Sequence, residues 1–334
     1  MKKVTIDDVA KKARISKSTV SQYLNKRYEY MSVETRERIK ETIEELGYQP
    51  NIVARSLTQK STSTIGVIVA NILHAFSTQI IRTIEDYCNE RDLHIIVCNA
   101  DDKPEKEKRY IDMLLAKQVD GLIIFPTGGN LDLYERLQKQ NYPLVFVDRA
   151  VKEIDVSSVM LDNALASELA VNHFVQKGYS RIGILTSEVV RNVSTRIERV
   201  AGFKRAMLMN GMEVNEDFIK SVNVERVQEA FHEMFSLEKR PEAIIAGNDL
   251  TLFEILKYVN ENNIKVPDDL ALIGIDDVGF ASIYSPPLTT IAQPTVEMGK
   301  KAASLLVKKI NKDTDEAYKS EYRFEPKLIA RDSC

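Results

Sequence analysis

An alternation that runs through most of the chain does most to constrain its fold. Short apolar runs at residues 65–69, 95–97, 121–125 and 144–147 are too brief for helices and lack the polar alternation of half-exposed strands. This is the pattern of strands buried on both faces of a parallel sheet. Helical stretches separate them, at 78–91 and 105–117 among others. A second series has runs at 159–161, 182–185, 243–246 and 270–275, with helices at 164–177, 198–209, 224–235 and 250–262. Strands alternating with helices predict an α/β core of two doubly wound, parallel-sheet lobes. Small ligands of such lobes sit beyond the carboxyl ends of the strands, and between two lobes that place is the cleft. A chain of 334 residues has room for one further small domain.

That domain is expected at the N-terminus. Thr5 can cap a helix whose apolar residues Ile6, Val9, Ala10 and Ala13 recur at helical spacing. Ser16 can cap a second short helix, with Val20 and Leu24 inward at i and i+4. The other side of this helix carries Lys17, Ser18, Ser21, Gln22 and Asn25, side chains able to reach base edges and phosphates. Two short helices joined by a tight turn, the second polar outside, form the helix-turn-helix pattern. A plain helical hairpin has the same outline, so charge is the next discriminator. Net charge is −3, yet residues 1–60 hold 13 Lys/Arg against 8 Asp/Glu, and the remainder 33 against 41. A basic module on an acidic body is what a chain needs when only the module meets phosphate.

A third helix is expected from Ser32, with Val33, Ile39, Ile43 and Leu46 on its inner side, Gly47 just past its end and Pro50 stopping it. Asn51 can then cap a short helix to Leu57, richer in apolar residues (Ile52, Val53, Ala54, Leu57) than an ordinary linker. So short a helix does not hold alone in water, and we expect it to form on DNA or against a symmetry mate.

Other classes find little support. No stretch approaches the roughly 20 apolar residues of a membrane span, and no apolar segment follows Lys2 and Lys3 as in a signal peptide. A cytoplasmic location without membrane contact is expected. Cys88, Cys98 and Cys334 lack zinc-site or disulfide spacing, and the four histidines show no metal pattern. Thr127-Gly128-Gly129 follows a strand but lacks the G-x-G-x-x-G frame, and no nucleophile elbow occurs. The acidic pairs Asp101-Asp102 and Asp276-Asp277 read as caps and solvated loops. An enzyme is therefore not expected, nor a cofactor or metal. An exported sugar-binding protein is the other rival, and the basic headpiece argues against it.

The residues then carry a family resemblance. Thr5-Ile6-Asp7-Asp8-Val9-Ala10, Ser18-Thr19-Val20-Ser21, Leu24-Asn25, Leu46-Gly47-Tyr48, Pro50-Asn51 and Ala54-Arg55-Ser56-Leu57 resemble the headpiece and hinge of LacI/GalR family repressors. The core adds Val119-Asp120-Gly121, Gly202-Phe203, Asn248-Asp249, Gly274-Ile275-Asp276-Asp277, Pro286-Pro287-Leu288-Thr289-Thr290-Ile291 and Leu328-Ile329-Ala330-Arg331-Asp332-Ser333. The resemblance implies three parts. Residues 1–49 form the helix-turn-helix headpiece, 50–60 the hinge helix and linker, and 61–334 a periplasmic-binding-protein-like core for effector and dimer partner. Its N-lobe takes in about 61–161 plus 292–320, and its C-lobe about 162–291 plus 321–334.

The resemblance also implies function: a sequence-specific transcriptional regulator of carbohydrate-use genes, a repressor controlled by a small sugar or sugar acid. A homodimer would place two headpieces on a pseudo-palindromic operator, and no leucine heptads of a tetramerisation tail precede Cys334. The expected DNA-contacting residues are Thr5, Ser16, Lys17, Ser18, Thr19, Ser21, Gln22 and Asn25, with Ala54, Arg55 and Leu57 of the hinge in the minor groove. Two positions depart from the family: Arg14 stands where it usually has Gly, and Gln22 where many members have a guanine-reading Arg. Gln suits adenine instead.

The implied effector residues are His74, Phe76, Thr127 and Arg149 on the N-lobe, Thr195, Arg196, Arg199, Asn248 and Asp276 on the C-lobe, and Gln293 near a crossing strand. Arg149, Arg196 and Arg199 together suggest an acidic sugar derivative, because a neutral hexose does not need so many cations. Runs 16–25 and 69–74 also resemble a subgroup of regulators of 2-keto-3-deoxygluconate and pectin-sugar breakdown. The sequence leaves open whether the effector releases DNA or strengthens its binding.

Overall fold

The computed structural model describes residues 4–49, 61–187, 194–313 and 320–334. It separates into two compact units, Met1–Thr62 and Ser63–Cys334.

The first unit contains α1 (Ile6–Ala13), α2 (Lys17–Leu24) and α3 (Val33–Leu46). Thr5 and Asp8 form a reciprocal capping box: the Thr5 hydroxyl accepts from Asp8 N–H, and the Asp8 carboxylate accepts from Thr5 N–H at 2.8 Å. Arg14 takes the left-handed conformation itself, at φ 55°, so the turn keeps its shape without glycine at a cost of about 1–2 kcal/mol. Ser16 caps α2 by accepting from Thr19 N–H at 3.1 Å, and Ser32 caps α3 in the same way. Val9, Ala10, Val20, Ile39 and Tyr48 form the buried centre, with Leu24, Ile43 and Leu46 packed against it. Val33, expected inside, is 68% exposed. It lies six residues before Ile39, about 120° round the helix from the inward stripe. The expected hinge residues Ala54, Arg55 and Leu57 lie outside the described residues.

The second unit holds two six-stranded sheets. The first is built from β1 (Thr64–Val69), β2 (His94–Asn99), β3 (Gly121–Ile124), β4 (Leu144–Val147), β5 (Ser158–Leu161) and β11 (Glu321–Phe324), in the order β11-β5-β4-β3-β1-β2. Its pairs are all parallel. Helices α4 (Ala75–Asn89), α5 (Pro104–Ala116), α6 (Leu131–Lys139) and, from far along the chain, α11 (Thr295–Ile310) belong to this lobe. Met298, Ala302 and Leu306 of α11 pack with Ile65, Ile80 and Val145 in one buried cluster.

The second sheet has the order β12-β10-β9-β8-β6-β7, from β6 (Ile182–Ser187), β7 (Ile219–Val222), β8 (Ala243–Ala246), β9 (Ala271–Ile275), β10 (Thr289–Ala292) and β12 (Lys327–Ile329). Only the β10–β12 pair is antiparallel. Its helices are α7 (Asn163–Gln176), α8 (Ser194–Met209), α9 (Val227–Phe235) and α10 (Asp249–Glu261).

The division between lobes differs from the sequence reading in one place. The run at 159–161, which opens the second series of runs but closes the N-lobe as bounded at 161, pairs with β4 in the first sheet. Residues 321–324, expected in the C-lobe, pair with β5 as the outer strand of the first sheet. The sequence Glu-Tyr-Arg-Phe of β11 alternates polar and apolar, as an edge strand with one wet face does, so it carries none of the continuous hydrophobicity that marks the buried strands. The chain therefore passes between lobes three times: after β5, after β10 and between β11 and β12.

Candidate functional site

On the headpiece, the side chains expected to meet DNA separate into exposed and engaged groups. Lys17, Ser18 and Gln22 are exposed along one side of α2. Gln22 makes no side-chain hydrogen bond among the described residues. Lys17 lies 3.4 Å from Asp7 in an exposed ion pair, a contact of little energetic weight that DNA phosphate can displace. Ser16 is occupied as a cap and also bonds the Ser18 and Thr19 hydroxyls at 2.7 and 2.8 Å. Thr5 is spent in the capping box, though both its atoms remain at the surface. Thr19 and Ser21 are half-buried. Asn25 turns its amide back onto the Ser21 carbonyl at 2.8 Å, closing the end of α2.

The core's cleft gathers residues from strand ends and helix starts of both lobes. A cavity of about 50 Å³ is lined by His74, Phe76 and Arg149 from the first lobe, and by Thr195, Arg196, Arg199, Asn248, Asp276 and Gln293 from the second and its crossing strand. Nine of the ten expected effector residues thus meet there. Thr127 does not. It is buried in the first lobe, where its N–H donates to Glu107 Oε2 at 2.7 Å and its hydroxyl has no partner among the described residues.

Local structure explains these placements. His74 is the N-cap residue of α4, and Asn248 caps α10 by accepting from Thr251 N–H at 2.8 Å. Asp148 and Asp276 occupy matching places just past β4 and β9, both at positive φ (68° and 94°). Such left-handed turns are costly for a residue with a Cβ and tend to collect at binding sites. Arg199 depends on a glycine one turn further along α8. A Cβ on Gly202 would lie 2.4 Å from the Ala164 carbonyl oxygen, so only glycine lets α8 approach α7 this closely. At that distance Arg199 Nε donates to Asn163 Oδ1 at 2.9 Å, and its Nη1 to the Gly247 carbonyl at 2.5 Å.

The electrostatics change the reading of the three arginines. Arg149 donates to Asp102 Oδ1 and the Pro126 carbonyl, both at 3.0 Å, and to Asp148 Oδ2 at 3.3 Å. Asp102, read from sequence as part of a solvated loop, is therefore a partner of the cleft, while its neighbour Asp101 pairs with Lys106 at the surface. Burial, with Arg149 adding to it, lowers the Arg196 guanidinium to about 10 against the pull of Asp102 and Asp148. Burial pushes the Asp276 carboxyl up to about 6 despite Arg199, with Asp249 adding to the rise. Gln293 Nε2 donates to Asp276 Oδ1 at 2.6 Å. Asp277, by contrast, is tied to Arg331 and Thr290 and serves the C-terminal segment. Three arginines and a histidine thus stand among Asp102, Asp148, Asp249 and Asp276, and the positive excess inferred from the arginines alone is cancelled.

Asp249 is the residue that sequence reasoning missed. Its Oδ1 is 2.5 Å from His74 Nδ1, and its Oδ2 accepts from Ala75 N–H at 2.7 Å. This clasp joins the first turn of α4 in one lobe to the first turn of α10 in the other. Burial alone would lower the His74 pKa, but the bond to Asp249 together with the negative charges of Asp249, Asp276 and Asp102 outweighs it and raises it. Asp249 is lowered, its own burial outweighed by the bond to and charge of His74 and by the Ala75 and Leu250 N–H donors. Two further contacts cross between lobes. Ala150 N–H donates to Ser194 Oγ at 3.2 Å, and Arg323 of β11 grips Glu198 of α8 through two bonds of 2.9 Å. Among the described residues no group of three or more His, Cys, Asp or Glu could hold a metal ion, and no helix is long and apolar enough to cross a membrane.

Comparisons with known proteins agree with this architecture. A family model described as "Bacterial regulatory proteins, lacI family" matches residues 5–51, and one described as "Periplasmic binding protein-like domain" matches 171–334. The chain is 46% identical over 332 residues to the probable HTH-type transcriptional regulator EndR of Paenibacillus polymyxa, covering 98% of each. It is 33% identical to the HTH-type transcriptional regulator KdgR of Bacillus subtilis, over 98% of this chain and 97% of that one. Among solved structures, the lac repressor dimer bound to operator and the anti-inducer ONPF superposes with a TM-score of 0.84 at 25% identity, covering 99% of both chains. A transcriptional regulator CelR–cellobiose complex gives 0.73 at 27% identity, covering 99% of this chain and all of that one. These relatives are transcriptional regulators, not enzymes.

Proposed function

The chain belongs to the LacI family of bacterial DNA-binding transcriptional regulators, and from that premise we propose that it is a cytoplasmic repressor of carbohydrate-use genes, switched by a carbohydrate in its core cleft. Two copies pair through the core and set two headpieces on a pseudo-palindromic operator. Lys17, Ser18 and Gln22 of α2 read and grip the major groove, with Ser16, Thr19 and Ser21 beside them, Thr5 near the phosphates and Asn25 fixing the helix end. Ala54, Arg55 and Leu57 enter the central minor groove.

The observation that carries this reading is the convergence of hydrogen-bonding side chains from both lobes on one cavity. Asp276, Asn248, Gln293 and Arg199 suit neighbouring hydroxyls, and Phe76 suits a ring face. A ligand held by both lobes fixes the angle between them, and that angle sets the spacing of the paired headpieces. A coupling of about 1–3 kcal/mol, roughly 5–150-fold in operator affinity, is sufficient. The balanced charge of the cleft favours a neutral carbohydrate, while resemblance to pectin-sugar regulators keeps sugar acids among the compounds to test.

The test is fluorescence anisotropy of the full-length dimer on its operator, titrated with salt and with a panel of neutral sugars and sugar acids. The reading requires salt-dependent binding that at least one carbohydrate shifts, upward for a corepressor or downward for an inducer. Operator binding indifferent to every carbohydrate tested would refute it.

A further inference from the structure

The inner cavity, at about 50 Å³, must widen to admit even one sugar ring and has no room for a second. A much larger chamber of about 560 Å³ adjoins it, and Arg149 lines both. Ligand sites usually fall between about 300 and 1,000 Å³, a range that the outer chamber meets and the inner one does not. Both lobes build its walls. The first lobe supplies the β3–α6 loop with Gly128 and Gly129, the start of α6 at Leu131, and the loop after β4 with Ala150 and Val151. The second supplies Ser194, Ile197 and Glu198 from the first turns of α8.

Three properties of these walls bear on what fits there. First, they are held rigidly. Glu107, fully buried on α5, accepts from Thr127 N–H at 2.7 Å, from Asn130 Nδ2 at 3.0 Å and from the Tyr134 hydroxyl. The loop and the floor under the chamber are thereby fixed before any ligand arrives. Second, apolar side chains stand uncovered on both walls: Leu131 is 38% exposed and Ile197 43%. Third, the charged groups are balanced. Arg149 is bound by Asp102 and Asp148, and Glu198 by Arg323, while Lys152 and Glu153 neighbour one another on one loop. Opposed apolar walls with a polar rim and no net charge suit the C–H faces and hydroxyl edges of an uncharged pyranose.

We propose that the outer chamber is a second glycosyl subsite, so that the effector is a neutral disaccharide or longer oligosaccharide rather than a monosaccharide. One unit takes the inner site at Asp276, Asn248 and Arg199, and the next lies between Leu131 and Ile197. This rests on the reading of the cleft as a carbohydrate site and names its ligand class. A two-unit ligand touches both lobes at two separated points, which gives it more leverage on the lobe angle than a single ring.

The experiment is isothermal titration of the full-length protein with glucose, its β-1,4-, α-1,4- and β-1,6-linked disaccharides, and glucuronate, in parallel with operator anisotropy. At least one disaccharide is expected to bind about tenfold or more tighter than glucose. Ile197→Trp fills the chamber from a surface position on α8. It should bring that disaccharide to within about threefold of glucose while leaving the glucose affinity itself within about threefold of wild type. Leu131→Trp, from the opposite wall, should do the same, and the unliganded melting temperature of each variant reports its folding. Equal binding of glucose and its disaccharides by the wild type, tightest binding of glucuronate, or equal losses for both ring numbers in both variants overturns the second subsite and leaves the carbohydrate reading standing. Failure of every compound here, and of the wider panel of neutral sugars and sugar acids, to bind or to shift operator affinity refutes the carbohydrate reading itself.

Discussion

The clasp between His74 and Asp249 gives the most exacting prediction. The pair spans the lobes at 2.5 Å, with side chains 17% and 7% exposed. At an effective dielectric of about 20, opposite charges about 4 Å apart attract by about 4 kcal/mol, and burial returns part of this as lost hydration. Asp249 keeps the Ala75 and Leu250 N–H donors after His74 is removed, so its charge is not left bare. We therefore expect a coupling energy of about 2 kcal/mol, within the range measured for close charge pairs. The measurement is a double-mutant cycle of His74→Ala and Asp249→Asn, read by urea unfolding of the full chain followed by far-UV circular dichroism.

The pH dependence adds a second constraint. The His74 pKa is raised in the folded protein, so its contribution is whole below its unfolded value near 6.5 and is lost as pH rises through the folded value. Asp249 is lowered, so its contribution is whole above its unfolded value near 3.8 and is lost as pH falls through the folded one. The coupling should therefore be full at about pH 6 and fall towards about 1 kcal/mol, a hydrogen bond without the ion pair, by about pH 9. A coupling under about 0.5 kcal/mol at pH 6, or one unchanged at pH 9, would refute the clasp.

Three shorter predictions follow from the same geometry. Asp276→Asn keeps the acceptor for Gln293 and removes a carboxylate whose pKa is lifted from 3.8 to about 6. Ionised Asp276 is a cost felt in full above about pH 6, so the variant should stabilise the unliganded core at pH 7, by at most about 3 kcal/mol, while weakening effector binding; a lowered melting temperature would contradict this. Gly202→Ala forces α8 away from Ala164 and should cost about 1–3 kcal/mol in urea unfolding and weaken effector binding through Arg199, so an unchanged midpoint would contradict the close approach. Selection of operator sequences should show wild type preferring A·T at the pair met by Gln22 and Gln22→Arg preferring G·C, a discrimination of about 1–3 kcal/mol; identical preferences would sink that assignment.

Much of the core was legible in the sequence because buried parallel strands are written as continuous apolar runs. What escaped notice was written in mixed polarity. The Ile-Lys-Ser-Val of β7 and the Glu-Tyr-Arg-Phe of β11 are edge strands, half wet and short. Val33 was misplaced because one apolar residue near a helix start does not define the phase that Ile39 and Ile43 set together. In the cleft, the arginines were visible as a group but their counter-charges were not. Asp102 is 47 residues from Arg149, and Asp249 is 175 from His74. Sequence spacing holds no record of such partners, and only the meeting of strand ends brings them together.

The threefold passage of the chain between lobes also sets an order of completion. The first lobe's core includes Met298, Ala302 and Leu306 of α11, and its sheet is closed on one side by β11, ending at Phe324. A nascent chain that has released only residues up to Leu161 holds five strands of that sheet over an uncovered apolar face. Nearly all of the second lobe, to β10 at Ala292, is synthesised before α11 can cover it. The lobe begun first is thus finished only after all but one strand of the second has been made, and no single break in the backbone yields two complete lobes.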